Sequence, residues 1–499
     1  MTVSSPDSSG IKGFVERRIL LGQPLTSELA AILLVYFVQG ILGLARLAVS
    51  FFLKDDLGLT PAEVAALSGI ATLPWTIKPV FGLLSDGLPI FGYRRRPYLM
   101  LSGLLGAGAW LALATVVQTG WAAIAAITLS SLSVAVSDVI VDSLVVERAR
   151  GESLGNAGTL QSLAWGTSAM GGIVTAYLGG ALLQHISTRA VFGITASFPL
   201  IVSLVAILIV EDPVDSPSWA VVNHQVKQLW QAVRQRAIWM PALFLFLWQA
   251  TPTADAAFFF FTTNDLGFQP EFLGRVRLVT SLAALLGIWV FQRFLRTVPF
   301  RTIFAWSTLL SSVLGMTMLL LVTHVNRSLG IGDEWFSLGD SLVLTVMGEI
   351  AFMPVLVLSA RLCPPGVEAT LFALLMSVVN MAGLVSHELG AVLTHWLGVT
   401  ETNFDHLWQL VLITNLTTLL PLPLLFLLPN SSSQGVGDSD KGHGEGHGEG
   451  HGEGHGEGHG EDLPPADPPL VATSLFLSPA TEHPVTVGDS GSERFAKRE

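Results

Sequence analysis

Charge is the scarcest commodity in this chain. Only 13% of its 499 residues are Asp, Glu, Lys or Arg, against about 25% in a soluble globular domain. So few charges do not cover a water-facing surface, so much of the exterior faces lipid. Cysteine is reduced to Cys363, which excludes an intrachain disulfide and a cysteine-based metal centre. Catalytic signatures are missing as well: there is no His-Glu-x-x-His and no phosphate-binding glycine loop. The alternating pattern of a β-barrel strand is absent. The first 28 residues hold Asp7, Lys12, Glu16, Arg17 and Arg18 without an apolar core, unlike a cleaved signal or an acid-poor transit peptide.

What the chain has in abundance is long apolar runs, such as 29–52, 99–117 and 122–136. About 20 such residues cross a bilayer as a helix, and helices satisfy every backbone polar group within their own segment. The reading is an all-α membrane protein with twelve transmembrane helices in two six-helix bundles. Six spans cover roughly 29–53, 62–84, 97–118, 121–145, 158–184 and 190–210; six more cover roughly 238–262, 271–295, 299–323, 339–361, 367–397 and 405–428. The segments are then an N-terminal tail (1–28), a first bundle (29–210), a linker (211–237), a second bundle (238–428) and a C-terminal tail (429–499). The bundles repeat in hydropathy, with no convincing residue-level identity between them.

Basic residues set the orientation. Lys12, Arg17, Arg18, Arg94–Arg96, Arg148, Arg150, Lys227, Arg234, Arg236, Arg293, Arg296, Arg301 and Arg361 fall on one side, against Lys54, Arg189 and Arg327 on the other. Positive-inside bias puts both termini in the cytoplasm. The tail carries five Gly-His-Gly-Glu copies over 442–461, too glycine-rich to order itself. His443, His447, His451, His455 and His459 suit loose Zn²⁺ or Ni²⁺ binding, but a spacer role is the simpler reading, and no metal centre or cofactor is expected.

Gly82-x-x-x-Asp86 followed by Gly92-x-Arg94-Arg95 resembles the loop signature of the major facilitator superfamily, with Gly87–Phe91 as an insertion. A narrower resemblance rests on GLARLAVSFFLKDDLGLTPAE (43–63), PWTIKPVFGLLSDGLPIFGYRRRPY (74–98), SDVIVDSLVVERAR (137–150), QSLAW (161–165), FFFFTTNDLGF (258–268) and LCPPGVEATLFALLMSVVN (362–380). These resemble the folate–biopterin transporter family. The resemblance implies a proton-coupled carrier of pterin-containing compounds, working as a monomer in the plasma membrane without nucleic-acid partners. It also implies a cytoplasmic gate of Gly82, Asp86, Arg94, Arg95, Glu147 and Arg148, with Arg361 and Glu368 in the second half.

An ionisable group at mid-membrane costs at least ~2.5–3.5 kcal/mol, so it has a partner or a task. Gln39 and Arg46 lie on one face of the first helix; Lys78 and Asp86 share a face of the second. Asp138 and Asp142 stand one turn apart, so either one of them holds a proton or a cation, Lys78 or Arg46, sits between them. Asp255, Glu349, Asn380, His387 and Glu388 occupy the second half, with Arg275 and Arg277 near the outer end of the eighth helix. A folate site wants a cation for the glutamate end, a carboxylate for the pterin edge and aromatic surface between. Gln39, Arg46, Lys78, Asp138, Asp142, Gln161, Trp165, Asp255 and Asn380 are the candidates for substrate binding or proton coupling. Trp248 and Phe258–Phe261 are weaker ones. A metal carrier, a membrane enzyme, a carrier of S-adenosylmethionine and a non-transporting receptor are the rival readings.

Overall fold

The computed structural model describes residues 23–149, 159–213, 223, 226, 227, 229–231, 233–295, 297–361 and 368–428, with Glu16 and Leu20 ahead of them. The expected His/Gly/Glu-rich tail, most of the N-terminal tail and much of the linker lie outside these residues. Among the described residues eleven helices are long and apolar enough to cross a membrane: α1 (Ser27–Asp56), α2 (Pro61–Gly87), α3 (Arg96–Thr115), α4 (Gly120–Val145), α5 (Leu163–Leu183), α6 (Thr188–Leu208), α8 (Pro270–Leu295), α9 (Phe300–Val322), α10 (Asp333–Ser359), α11 (Leu371–Trp396) and α12 (Leu407–Leu427). The only bridge between extended residues among those described joins Ile90 to Tyr93.

The seventh crossing departs from the expected continuous span. α7 is two pieces, Arg236–Gln249 and Asp255–Phe260, the second continued by a wide turn over Phe261–Asp265. Pro252 lies in the gap, and proline has no N–H to carry a helix through. The freed backbone is taken up by α11. Ser386 Oγ donates to the Thr251 carbonyl at 2.5 Å, and the Thr253 N–H donates to the Ser386 carbonyl. α2 breaks for the same reason at Thr72 and Ile77, ahead of Pro74 and Pro79. α1 breaks at Leu42–Gly43.

The halves do share residues, which corrects the sequence reading. Phe51–Pro61 reads FFLKDDLGLTP and Phe260–Pro270 reads FFTTNDLGFQP. Both segments end a helix in a wide turn, Phe52–Asp56 and Phe261–Asp265. Leu57 N–H bonds to the Phe52 carbonyl and Leu266 N–H to the Phe261 carbonyl. Gly58 and Gly267 both take positive φ, 63° and 69°, a conformation glycine adopts without a Cβ penalty. Hydropathy hid this repeat because the polar positions between the shared residues differ.

Within the first half α1 packs on α5, α3 on α4 and α6, and α2 on α4; in the second, α8 and α9 pack on α10, and α7 on α11. The halves meet along α5–α8 and α2–α11. Two of their polar contacts lie at the distal end, away from Ser27 and Leu428: Lys54 donates to Asn264 at 2.7 Å and Tyr177 to Glu271 at 3.3 Å. There the backbones of α5 and α8 touch. A Cβ on Gly180 would stand 2.3 Å from the Pro270 carbonyl and 2.7 Å from Gly274 Cα. Neither atom can retreat unless the halves separate. We expect Gly180→Val to insert normally but to cut uptake at least tenfold and to raise labelling of a cysteine placed by Thr263→Cys, at the distal mouth, with a membrane-impermeant maleimide. Uptake and labelling at the level of the unsubstituted protein would show that this contact is not needed.

Candidate functional site

The mid-membrane charges are sorted by the breaks in α2. Because Pro79 has no N–H, the Trp75 carbonyl four residues earlier has no helical donor. Asn380 on α11 supplies one, its side-chain amide donating at 3.2 Å, so the kink of one half is bonded to the other half. The same kink starts a helix at Lys78. Its ammonium pairs with Asp138 on α4 and lies 4.2 Å from the centre of the Trp75 ring, an ion pair with a cation–π contact. Both side chains are about one-sixth exposed, 15% and 16%. Trp75 is itself fixed, its Nε1 donating to Ser131 Oγ at 3.0 Å.

Asp142, one turn further along α4, does not share that lysine. The Tyr36 hydroxyl on α1 donates to it. The carboxylates therefore have separate partners, one a cation and one a neutral donor. Tyr36 was missed in the sequence, where it reads as one aromatic in an apolar run. Arg46, expected as a rival cation for this pair, bonds to neither carboxylate. It is exposed while protein surrounds it on nearly every side, so it lines a water-accessible space within the bundle. Gln39 Nε2 is buried with no partner among the described residues.

Asp255 begins the second piece of α7, just past the break, and is also exposed. Counting back from the shared turns, Asp255 occupies in α7 the place Arg46 occupies in α1. Each half thus offers one charge, of opposite sign, just past a helix break. The same count makes Gly287 the counterpart of Lys78. Glu349 on α10 packs there, its Cβ 2.7 Å from where a Gly287 Cβ would stand, so the second half keeps a carboxylate without the lysine. Trp165 is exposed, whereas Trp248 donates to Thr308 and stacks edge-on to Phe304. Phe260 and Phe261 are buried packing residues. His387 and Glu388 face Gly69 on α2.

The expected cytoplasmic gate is held inside one half. Asp86 pairs with Arg95 at 2.9 Å, and Arg148 with Glu28 at 3.1 Å. Gly82 has Val139 as its nearest neighbour. Glu211, at the start of the linker, was not singled out in the sequence. Its carboxylate accepts the backbone N–H groups of Arg94, Arg95 and Arg96 at 2.5–3.1 Å, capping the start of α3 where a negative charge is favoured. The side chains of Glu147, Gln161, Arg361 and Glu368 lie outside the described residues. At the distal mouth Phe51, Lys54, Asp56, Arg189, Thr263 and Pro270 line an open vestibule of about 750 Å³.

Breaking a buried pair by removing one partner is strongly destabilising, whereas replacing both is often neutral. We expect Lys78→Met to lower the melting temperature in detergent by several degrees, and the double variant Lys78→Met/Asp138→Leu to recover most of the loss. A single variant as stable as the unsubstituted protein would mean that the pair contributes nothing to the fold.

Comparison with known proteins gives this arrangement its context. The BT1 family matches residues 39–443. The folate-biopterin transporter of Synechocystis sp. is 60% identical over 435 residues, covering 87% of this chain and 88% of its own. Folate transporter 2 of Plasmodium falciparum is 32% identical, covering 82% and 91%. Among solved structures, the nucleoside transporter NupG has a TM-score of 0.61 at 14% identity, covering 80% of this chain and 98% of its own. A D-xylose-proton symporter has 0.60 at 13% identity, covering 82% and 100%. At those identities the likeness speaks for the fold alone, which is the major facilitator fold. Eleven membrane-length apolar helices among the described residues, charges set within the bundle and a match over most of its length lead to one conclusion: this chain is a multi-pass membrane protein of the BT1 family, a family of transporters.

Proposed function

We propose that the protein carries folate and related pterins across the plasma membrane by alternating access, as a proton-coupled monomer with both termini in the cytoplasm. The observation that carries this reading is the opposed pair Arg46 and Asp255, placed alike in the two halves just past their helix breaks. Folate is built to span such a pair. Its glutamate end is anionic and matches a guanidinium fork, while its pterin edge has parallel N–H donors for a carboxylate. The relatives' names support this cargo. The backbone contact of Gly180 with Pro270 and Gly274 at the distal end supports a carrier caught with its cytoplasmic side able to open. Gln39, Trp165 and Asn380 complete the binding surface between the halves, with Gln161 beside Trp165 in sequence.

Proton coupling falls to α4. Asp142, held by a neutral hydroxyl instead of a cation, is the carboxylate best suited to take and release a proton. Lys78, paired with Asp138 at rest, or Arg46 competes for the negative charge left when the proton departs. Asp86 with Arg94 and Arg95, Glu147 with Arg148, and Arg361 with Glu368 act as the cytoplasmic gate.

In proteoliposomes we expect labelled folate to be displaced by biopterin and by an antifolate, not by S-adenosylmethionine, and to accumulate uphill only with a proton gradient. Asp142→Asn should allow equilibration down the folate gradient while abolishing proton-driven accumulation. Displacement by S-adenosylmethionine alone would assign a different cargo, and full uphill transport by Asp142→Asn would remove that residue from coupling.

A further inference from the structure

Two arginines inside the bundle have no counter-ion among the described residues. Arg46 on α1 and Arg277 on α8 each lack a hydrogen bond or ion pair from the guanidinium among the described residues. Elsewhere among the described residues Lys78 is matched by Asp138 and Arg95 by Asp86. The two unmatched cations belong to different halves, yet they stand near one level of the bundle. Their proximity follows from α5. A Cβ on Gly179 would meet the Leu44 carbonyl of α1 at 2.9 Å, and one on Gly180 would meet Gly274 of α8 at 2.7 Å. Arg46 follows Leu44 by two residues and Arg277 follows Gly274 by three. At a rise of ~1.5 Å per residue, each stays within about one turn of that shared level.

Like charges held together and partly desolvated are tolerated where an anion completes the site. We propose that Arg46 and Arg277 together form a dicarboxylate clamp, one fork from each half, that takes the two carboxylates of the cargo's glutamate moiety and so selects folates over unconjugated pterins. This deepens the reading above and rests on it: Arg277 becomes a specificity-determining residue alongside Arg46. A guanidinium binds a carboxylate through two parallel N–H bonds, and two guanidinium groups on opposite halves fit a ligand bearing two carboxylates a few bonds apart. A pterin without that moiety leaves the clamp unfilled. The clamp lies just inside the Gly180–Gly274 contact, so an anion bound there ties the halves together beside the closed distal end.

The test compares labelled folate and labelled biopterin in proteoliposomes containing the full chain, Arg277→Gln or Arg277→Lys. A second readout is thermal stabilisation of the purified protein by p-aminobenzoylglutamate, with sodium chloride as the simple-anion control. We expect Arg277→Gln to lower kcat/KM for folate at least tenfold more than for biopterin, and Arg277→Lys to regain part of the difference. p-Aminobenzoylglutamate should stabilise the unsubstituted protein and not Arg277→Gln. Equal losses for both cargoes, stabilisation of Arg277→Gln to the same extent, or the same stabilisation by chloride alone would overturn the clamp. If the unsubstituted protein carries neither cargo, the transport reading fails, while stabilisation by p-aminobenzoylglutamate that Arg277→Gln abolishes still upholds the dicarboxylate site.

Discussion

A charge removed from water requires another charge, and this constraint shapes the interior of the molecule. Lys78 is the clearest case. It stands at the head of a helix restarted by a proline, its ammonium set against Asp138 and over Trp75. That pair fixes α2 to α4, and the carbonyl exposed by the same proline fixes α2 to α11 through Asn380. One local break thus organises one half internally and joins it to the other. Removing the lysine would leave a carboxylate in a poorly solvating place, which is why the pair acts as a unit.

The breaks also decide where function is placed. A continuous membrane helix has no spare backbone groups, so a polar ligand finds only side chains. α1, α2 and α7 are each interrupted near their middles, and the residues after the interruptions are Arg46, Lys78 and Asp255. The paired turns at Phe51–Pro61 and Phe260–Pro270 show that α1 and α7 are versions of one element. The two versions have acquired opposite charges. A fold with two equivalent halves thereby presents an unsymmetrical surface to an unsymmetrical cargo, positive from one side and negative from the other.

Much of this was legible in the sequence. Twelve spans were read from apolar runs, and eleven stand as long apolar helices among the described residues, since hydrophobic length is a property of the residues alone. Mid-membrane charges were equally plain, because each is costly enough to stand out. Pairing was not legible. Whether Asp142 meets a cation or Tyr36 depends on how α1 leans against α4, and one tyrosine in an apolar run carries no mark of its partner. Glu211 was overlooked because a carboxylate in a polar linker looks like any solvated acid until α3 is seen to start beside it. Arg277 was noted only as lying near a helix end; its significance came from the closeness of α5 to both α1 and α8, a fact held in glycines. The repeat was masked because the positions between its shared residues had diverged.

The central claim is that cargo supplies the negative charge this interior is missing. It is tested most directly by determining the structure with folate bound. The account predicts the glutamate carboxylates within hydrogen-bond distance of both Arg46 and Arg277, with the pterin edge turned toward Asp255. Folate seated elsewhere, with neither guanidinium within hydrogen-bond distance of a cargo carboxylate, would contradict it.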